Sequence, residues 1–268
     1  MQALRVVFVV LAVAIAGLLG WRTQNLGPTA QPAVNAPALA QPQASQFPER
    51  RRAVENEIAS AASYSGFFAD LKQDFPADYD RLLNGFAVRA AASGHVESPD
   101  LYLAEALRGL RQTRGVLAAQ AQAEPLGRVF DVEAQILAKL AETAPPLCVD
   151  FLYGGTTASF LGFSGSNRDL MAAMADAALQ AILDGQTHHV RRPAPSVDDF
   201  NVLEQGLVVR GLDDVEIGAL LDGKMPDPPL PAERMCAAGR SYLDALQGLP
   251  QDTRLKMLAL AVELMARS

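Results

Sequence analysis

The sequence predicts an all-α protein, an irregular bundle of about eight helices behind an N-terminal hydrophobic segment and a flexible tether. Ala and Leu are abundant, aromatic residues make up only 6% of the chain, and the long alternations of Val, Ile, Thr and Tyr that mark strands are missing. From residue 49 on, apolar residues instead recur every three to four positions, as on one face of a helix. Hydrophobic residues account for 50% of the chain and charged residues for 20%, so the body can bury a core.

The N-terminal segment indicates that the protein is attached to a membrane. Residues 6–21 carry no charge and lie between Arg5 and Arg22; signal-peptide cores hold roughly 7–15 apolar residues and spanning helices need roughly 17–25. Because residues 21–26 make a poor cleavage site, we expect residues 1–22 to form an uncleaved, single-pass signal anchor, with the body facing the periplasm or the cell exterior. Two alternatives stay open: secretion after signal cleavage, and a cytoplasm-facing body, because Arg22 weakens the charge asymmetry that sets orientation.

The next segment separates the anchor from the body. Residues 23–48 are rich in Pro, Ala and Gln and show no hydrophobic period, so they cannot bury enough surface to offset the entropy of ordering. We therefore expect a disordered linker there and a single all-helical domain over residues 49–268. A second Pro-rich stretch, residues 224–231, leaves too few residues behind it for a further domain and is interpreted as a loop.

Helix starts are marked by capping residues. Ser98 precedes Pro99, which places a capping hydroxyl before a proline at the first helical position. Residues 166–169 and 196–199 both resemble capping boxes with an aspartate in the acidic position. The clearest amphipathic stretches are residues 128–143, 167–184, 235–249 and 255–265.

Helix ends are marked by glycine and proline. Asp184-Gly185 and Asp222-Gly223 resemble helix ends. Pro76 separates a helix that ends near Asp74 from one over residues 77–93.

The charge distribution argues against nucleic-acid binding. Residues 1–52 contain five arginines and one glutamate, so the net charge of −7 is concentrated in the rest of the chain. An acidic body repels phosphate backbones. We expect the membrane, through the N-terminal helix, and an unidentified envelope protein as partners instead.

The two cysteines, Cys148 and Cys236, are candidates for a disulfide, since an even pair in an exported protein suggests one. Both sit among apolar neighbours, so two separate buried thiols are the competing interpretation. Two distant cysteines do not make a metal site. The sequence predicts no metal and no cofactor.

Residues 154–167 have the most unusual local composition, rich in Gly, Ser and Thr, and they precede a predicted helix. Backbone amides at a helix start can hold an anion, which makes Thr156, Ser164, Ser166 and Asn167 candidate ligand-binding residues. The stretch lacks a Walker lysine and a complete G-x-S-x-G motif. An ordinary turn between two helices is the competing interpretation.

Other chemically capable residues lack a supporting pattern. His188 and His189 are adjacent in a basic spot that we interpret as a solvated loop, because neighbours diverge on a helix rather than chelate. No catalytic carboxylate stands out: several glutamates lie beside apolar residues, as solvated helix faces also produce. They are Glu105, Glu133, Glu204 and Glu263.

Two functions remain for this sequence. The first is a non-enzymatic, membrane-tethered module for protein interaction or envelope assembly, supported by the anchor, the linker and the lack of catalytic motifs. The second is a periplasmic enzyme or small-ligand binder with a pocket between helices, walled in part by residues 154–167. A large apolar cavity near Ser164, with a carboxylate of shifted pKa, would favour the second; a solid core there would exclude it.

Overall fold

The computed structural model describes residues 41–152, 157–222 and 226–267, and within these ranges every regular element is a helix. The predicted all-α class is therefore confirmed. The described residues form twelve α-helices where the periodicity predicted about eight, and several of the additional ones are too short for a hydrophobic period to register. The helices are α1 (Gln41–Ser60), α2 (Ser65–Asp74), α3 (Pro76–Ser93), α4 (Pro99–Ala118), α5 (Ala123–Thr143), α6 (Pro145–Leu152), α7 (Ala158–Ser166), α8 (Arg168–His188), α9 (Val197–Val209), α10 (Asp214–Asp222), α11 (Ala232–Gln247) and α12 (Gln251–Arg267), with a 3₁₀ turn at Ala62–Tyr64.

The N-terminal expectations fall largely outside these ranges. The signal anchor predicted for residues 1–22 lies outside the described residues, as do residues 23–40 of the predicted linker. The last part of that linker, residues 41–48, belongs to α1. Among the helices that are described, none has the length and apolarity needed to cross a bilayer.

Helix α4 contacts helices from both halves of the chain. It packs most extensively against α8 and α12 and also contacts α1, α3 and α7, while α5 packs against α8, α11 and α12. One cluster of buried apolar residues extends from Val54 in α1 to Met265 in α12. Its largest side chains include Tyr64, Phe67 and Tyr242, each 2% exposed or less. The apolar stripes of the amphipathic helices therefore meet in one core.

A glycine sets the spacing between α4 and α8. Gly185 was predicted to end a helix, but α8 continues past it to His188. A Cβ at Gly185 would lie 1.8 Å from the carbonyl oxygen of Leu117, so only glycine allows the two backbones to approach this closely. The prediction was wrong because Asp-Gly is ambiguous: the same pair serves helix ends and close helix packing.

Two of the three predicted helix starts are confirmed. The Ser98 hydroxyl accepts a hydrogen bond from the Leu101 amide at 3.3 Å, and Ser196 with Asp199 forms a capping box. The box predicted at residues 166–169 does not form. Residue 166 instead ends α7, and the Ser166 hydroxyl donates to the Gly162 carbonyl oxygen.

The predicted helix boundaries around proline and Asp222 are also confirmed. Helix α2 ends at Asp74 and α3 begins at Pro76. Helix α10 ends at Asp222.

The cysteine pair joins α6 to α11. The structure bonds Cys148 to Cys236, with Cα atoms 5.3 Å apart, inside the range that disulfide geometry requires. The predicted pairing is thus confirmed. In the chain-entropy picture, a crosslink that closes a loop of this length stabilises the fold by up to about 4.5 kcal/mol. It ties α6 to α11, and α6 packs against both α5 and α11.

Candidate functional site

A cavity of about 250 Å³ lies between the helices of the core. Most of its wall is apolar, and helices α4, α5, α8, α11 and α12 each contribute to it. The side chains that line it are Asp100, Leu103, Ala104, Leu107, Arg108, Leu110, Arg111, Gly115, Ala118, Val129, Glu133, Ile136, Leu137, Phe151, Leu152, Phe160, Ser164, Met171, Met174, Ala178, Ile182, Leu220, Gly239, Tyr242, Leu243, Val262 and Met265.

The lining of the cavity follows α4. That helix contributes lining residues from Asp100 near its start to Ala118 at its end, a span of about 27 Å at the helical rise of 1.5 Å per residue. A lining that extends along one helix can contact a linear molecule over much of its length.

One polar group of the wall is fully paired. The Asp100 carboxylate accepts hydrogen bonds from the Tyr64 hydroxyl at 2.6 Å and from Arg168 at 2.9 and 3.0 Å. Burial alone would raise the pKa of Asp100, but the bonds from Arg168 and Tyr64 outweigh it and hold the pKa below its ordinary value. This end of the cavity therefore carries a satisfied ion pair that joins α4 to α8.

A second polar group of the wall is not paired in this way. Glu133 on α5 is 7% exposed, and no basic side chain of the described residues lies within 4.0 Å of its carboxylate. Burial raises the pKa of Glu133 to about 7, although the Arg111 charge opposes the shift. Burial therefore favours the neutral, protonated form of this carboxyl.

Arg111 supplies a donor in the same region. Its Nε atom is buried and has no hydrogen-bond partner within the described part of the chain. Burial lowers the pKa of Arg111, and the neighbouring charge of Arg108, one turn earlier on α4, lowers it further. A buried N–H without an acceptor costs roughly 1–3 kcal/mol. The geometry thus leaves a hydrogen-bond donor and a carboxyl facing one apolar space.

The other buried carboxylates of the described residues show how unusual Glu133 is. Each of them has a cationic partner within 3.4 Å, and several accept further hydrogen bonds. The pairs are Asp78 with Arg114, Asp100 with Arg168, Asp199 with Lys256 and Glu216 with Arg234. Buried carboxylates are ordinarily paired in this manner, so the unpaired one marks the candidate site.

Of the predicted ligand-binding residues that the structure describes, only Ser164 lines the cavity. Ser164 is buried and lines it, but its hydroxyl donates to the Phe160 carbonyl oxygen within α7. Ser166 and Asn167 bond to carbonyl oxygens of Gly162 and Phe163 and lie away from the cavity wall. Thr156 lies outside the described residues. Residues 158–166 form α7 rather than the expected loop.

The adjacent histidines do not form a site with other ligands. His188 ends α8 and faces Asp184, with Nδ1 3.0 Å from Oδ2. His189 adopts a left-handed backbone conformation and its Nδ1 lies 3.3 Å from the Gln120 side-chain oxygen. Within the described ranges, no three His, Cys, Asp or Glu side chains gather as metal ligands would.

The sequence contained a signal for Glu133 that composition alone does not reveal. Glu133 lies four residues after Val129 and three before Ile136, within the apolar stripe of α5. An acidic residue at such a position must be buried if the helix packs on that face. Arg111 has the same property beside Leu107 and Leu110 on α4. The partners across the helices could not be found without the fold.

Fold and site together define an all-α protein with an interhelical cavity whose wall holds unpaired polar groups. No protein family, no curated protein and no solved structure matches this chain.

Proposed function

We propose that this protein binds a small, largely apolar molecule in the cavity between α4, α5, α8, α11 and α12. The observation that carries the proposal is the combination of an apolar wall with a buried, unpaired donor at Arg111 and a buried, unpaired carboxyl at Glu133. Ligand pockets typically combine a hydrophobic lining with a few polar groups that orient the ligand.

The size of the cavity supports this function. An apolar cavity of about 150 Å³ is sufficient to bind benzene, so 250 Å³ admits a larger hydrocarbon. Filling a cavity stabilises the surrounding protein by roughly 24 cal/mol per Å³ in measured cases. An occupant of the whole space would therefore contribute on the order of 6 kcal/mol, a large fraction of an ordinary folding free energy.

The proposal is tested by filling the cavity with side chains from two helices of its wall. Ala104 on α4 and Ala178 on α8 both line it, so Ala104→Phe and Ala178→Phe should each occupy the space. Ala92 is an exposed residue of α3, and Ala92→Phe is the matched control. The full chain, kept in solution by an amphipathic polymer, is titrated with the neutral probe N-phenyl-1-naphthylamine.

We expect saturable probe fluorescence from the wild type and the Ala92 variant, and at least a tenfold weaker affinity in both cavity-filled variants. Their thermal midpoints should stay within a few degrees of the wild type, which shows that they fold. Equal probe binding by all four proteins would contradict the proposal.

We also propose that the body works outside the cytoplasm, tethered to a membrane by residues 1–22. The Cys148–Cys236 bond supports this address, since disulfides persist in oxidising compartments. Labelling of the native membranes with a mass-adding maleimide should modify these cysteines only after reduction. Label that enters both thiols without reduction would remove this support.

A second candidate function, protein interaction, is favoured by the outer face of α9. Several valines of this helix are exposed, and Val209 is the most exposed of them at 84%. A group of exposed valines is unusual on a surface with no partner. A photo-crosslinking residue at Val209 should capture one defined protein in cells, while the same residue at exposed Arg240 should not. Capture of unrelated proteins from both positions would contradict it.

A further inference from the structure

Building on the proposed function, we propose that the ligand is a linear amphiphile with an anionic head group, held at Arg111 and Glu133 with its hydrocarbon chain along α4. The charge of the polar cluster, the position of its donor and the extent of the apolar wall support this assignment. The chemical class is a medium-chain carboxylate or a similar acid.

The charge of the cluster favours an anion. Arg111 lines the cavity from α4, and Glu133 lines it from α5. Burial favours the neutral form of Glu133, so the two groups carry a positive excess while that carboxyl is protonated. A cationic head group would be repelled by that excess in a medium where charges are poorly screened. An anionic head group is attracted by it.

The donor geometry favours an oxygen acid. The buried Nε–H of Arg111 has no acceptor among the described residues, and guanidinium groups recognise carboxylates and phosphates through parallel N–H donors. When protonated, the Glu133 carboxyl can donate its own O–H to a second oxygen of the head group. A head group with two or more oxygens therefore satisfies Arg111 and Glu133 together.

The apolar wall favours a chain over a ring system. On α4 the lining continues from Arg111 through Leu107 and Leu103 towards the helix start, about 12 Å at 1.5 Å per residue. Met171 and Met174 face this stretch from α8. Methionine side chains adapt to irregular apolar shapes, so the wall can follow a flexible hydrocarbon.

The test uses three photoactivatable probes that share an octyl chain with a terminal diazirine and differ only in their head groups: a carboxylic acid, an alcohol and a trimethylammonium. The full chain is kept in its membranes, each probe is added at trace concentration, and labelled peptides are mapped by mass spectrometry. Label on residues 1–22, the proposed membrane anchor, normalises the three probes for membrane partitioning.

Arg111→Gln removes the charge of the proposed head-group ligand, and Arg240→Gln on the exposed face of α11 is the matched control. Arg111→Lys restores a positive charge and guards against loss of folding in the glutamine variant. We expect the acid to label the cavity helices at least tenfold more than the alcohol. That labelling should fall at least tenfold in Arg111→Gln, recover in part in Arg111→Lys and stay unchanged in Arg240→Gln.

The other outcomes overturn the inference in distinguishable ways. If the acid and the alcohol label the cavity helices equally, and Ala178→Phe abolishes both signals, the head group is not recognised but the cavity does bind ligands. If the trimethylammonium probe labels best, the ionised Glu133 carboxylate binds a cationic head group without Arg111, and the charge assignment is wrong. If label is confined to residues 1–22 for all three probes, both the inference and the proposed function fail.

Discussion

The two buried carboxyl groups of the cavity wall differ in a way that burial does not explain. Asp100 and Glu133 are almost equally shielded, 6% and 7% exposed, and both line the same cavity. Asp100 accepts three hydrogen bonds from Tyr64 and Arg168, and its pKa lies below the ordinary value. Glu133 has no cation within 4.0 Å in the described chain, and its pKa rises to about 7. The presence or absence of a cationic partner therefore decides whether the pKa of the buried carboxyl is lowered or raised.

The difference separates a structural role from a binding role. A buried carboxylate that is fully paired fixes the positions of α4 and α8 and has little capacity left for a ligand. A buried carboxyl without a partner destabilises the protein when it ionises, and the obvious compensation is a group that enters the cavity. The two carboxylates should therefore respond in opposite ways to mutation and to pH.

The largest loss of stability should come from removing the cationic partner of Asp100. Arg168→Ala leaves the Asp100 charge buried with only Tyr64 as donor, and removing one partner of a buried pair costs about 3–5 kcal/mol. Because the Arg168 side chain is 38% exposed, solvent should reduce the loss to about 3 kcal/mol or less. Urea unfolding at pH 7 measures it, and Arg240→Gln, on an exposed site, should change little. A loss below 0.5 kcal/mol would show that water already serves Asp100.

Replacing the carboxyl of Glu133 should instead increase the stability of the protein. The pKa of Glu133 in the folded protein is about 7, above its ordinary 4.5, so its contribution to stability is present in full below pH 4.5 and is lost as the pH rises through 7. Glu133→Gln does not titrate and should unfold at higher urea than the wild type above pH 7. The gain is roughly 3 kcal/mol at most, at 1.36 kcal/mol per pKa unit.

The pH dependence of that gain separates it from a packing effect. The stabilities of the wild type and Glu133→Gln should converge near pH 4.5, diverge as the pH rises to about 7, and differ by a nearly constant amount from there to pH 8. A constant difference between the two proteins across this range would mean that Glu133 is not the titrating group. Lower stability of the variant at pH 8 would mean that the carboxylate has a partner.

A smaller effect should come from the hydroxyl of Tyr64. Tyr64→Phe removes its 2.6 Å bond to Asp100 while the ring stays packed, and hydrogen bonds to charged groups contribute about 1.5–3 kcal/mol. Because Arg168 remains, we expect a loss near 1.5 kcal/mol in urea unfolding. Tyr102→Phe is a matched control, since the Tyr102 hydroxyl accepts from the uncharged Glu97 amide, and it should cost less. Equal losses would show that the Asp100 charge adds nothing.

Sequence reasoning reached the helical class and the cysteine pair because both depend on local or simple pairwise signals. The stripe of α5 and the cap at Ser98 are local, and Cys148 had only Cys236 as a partner. The site was different. Residues 154–167 drew attention because glycine and serine suggest loops, yet Ser164 reaches the cavity from inside a helix.

The residues that mark the site are ordinary in composition and unusual only in position. Glu133 was one of four similar glutamates on predicted helices, and three-dimensional packing alone shows that it lies buried opposite Arg111. The distinction between Asp100 and Glu133 needs the location of Arg168, distant from Asp100 in the chain. Periodicity can show that a charged residue is buried, but it cannot show whether a partner arrives from another helix.

The smallest expected effect is the pH dependence of ligand binding that ionisation of Glu133 should cause. The charged or titratable groups that interact with Glu133 are Arg111 from α4 and Tyr242 from α11. Arginine side chains stay protonated in proteins, and burial raises the pKa of Tyr242 above its ordinary 10, so Glu133 is the group of the three that titrates between pH 6 and 8. An alkyl sulfonate photoprobe stays anionic throughout, and its labelling of the cavity should fall about fivefold, or ~1 kcal/mol, from pH 6 to pH 8, because an ionised Glu133 repels the head group. Glu133→Gln should remove this pH dependence and show, at every pH, the labelling that the wild type shows at pH 6. Labelling that strengthens with pH in the wild type would show that the head group does not lie beside Glu133, and the comparison with Asp100 would then concern stability alone.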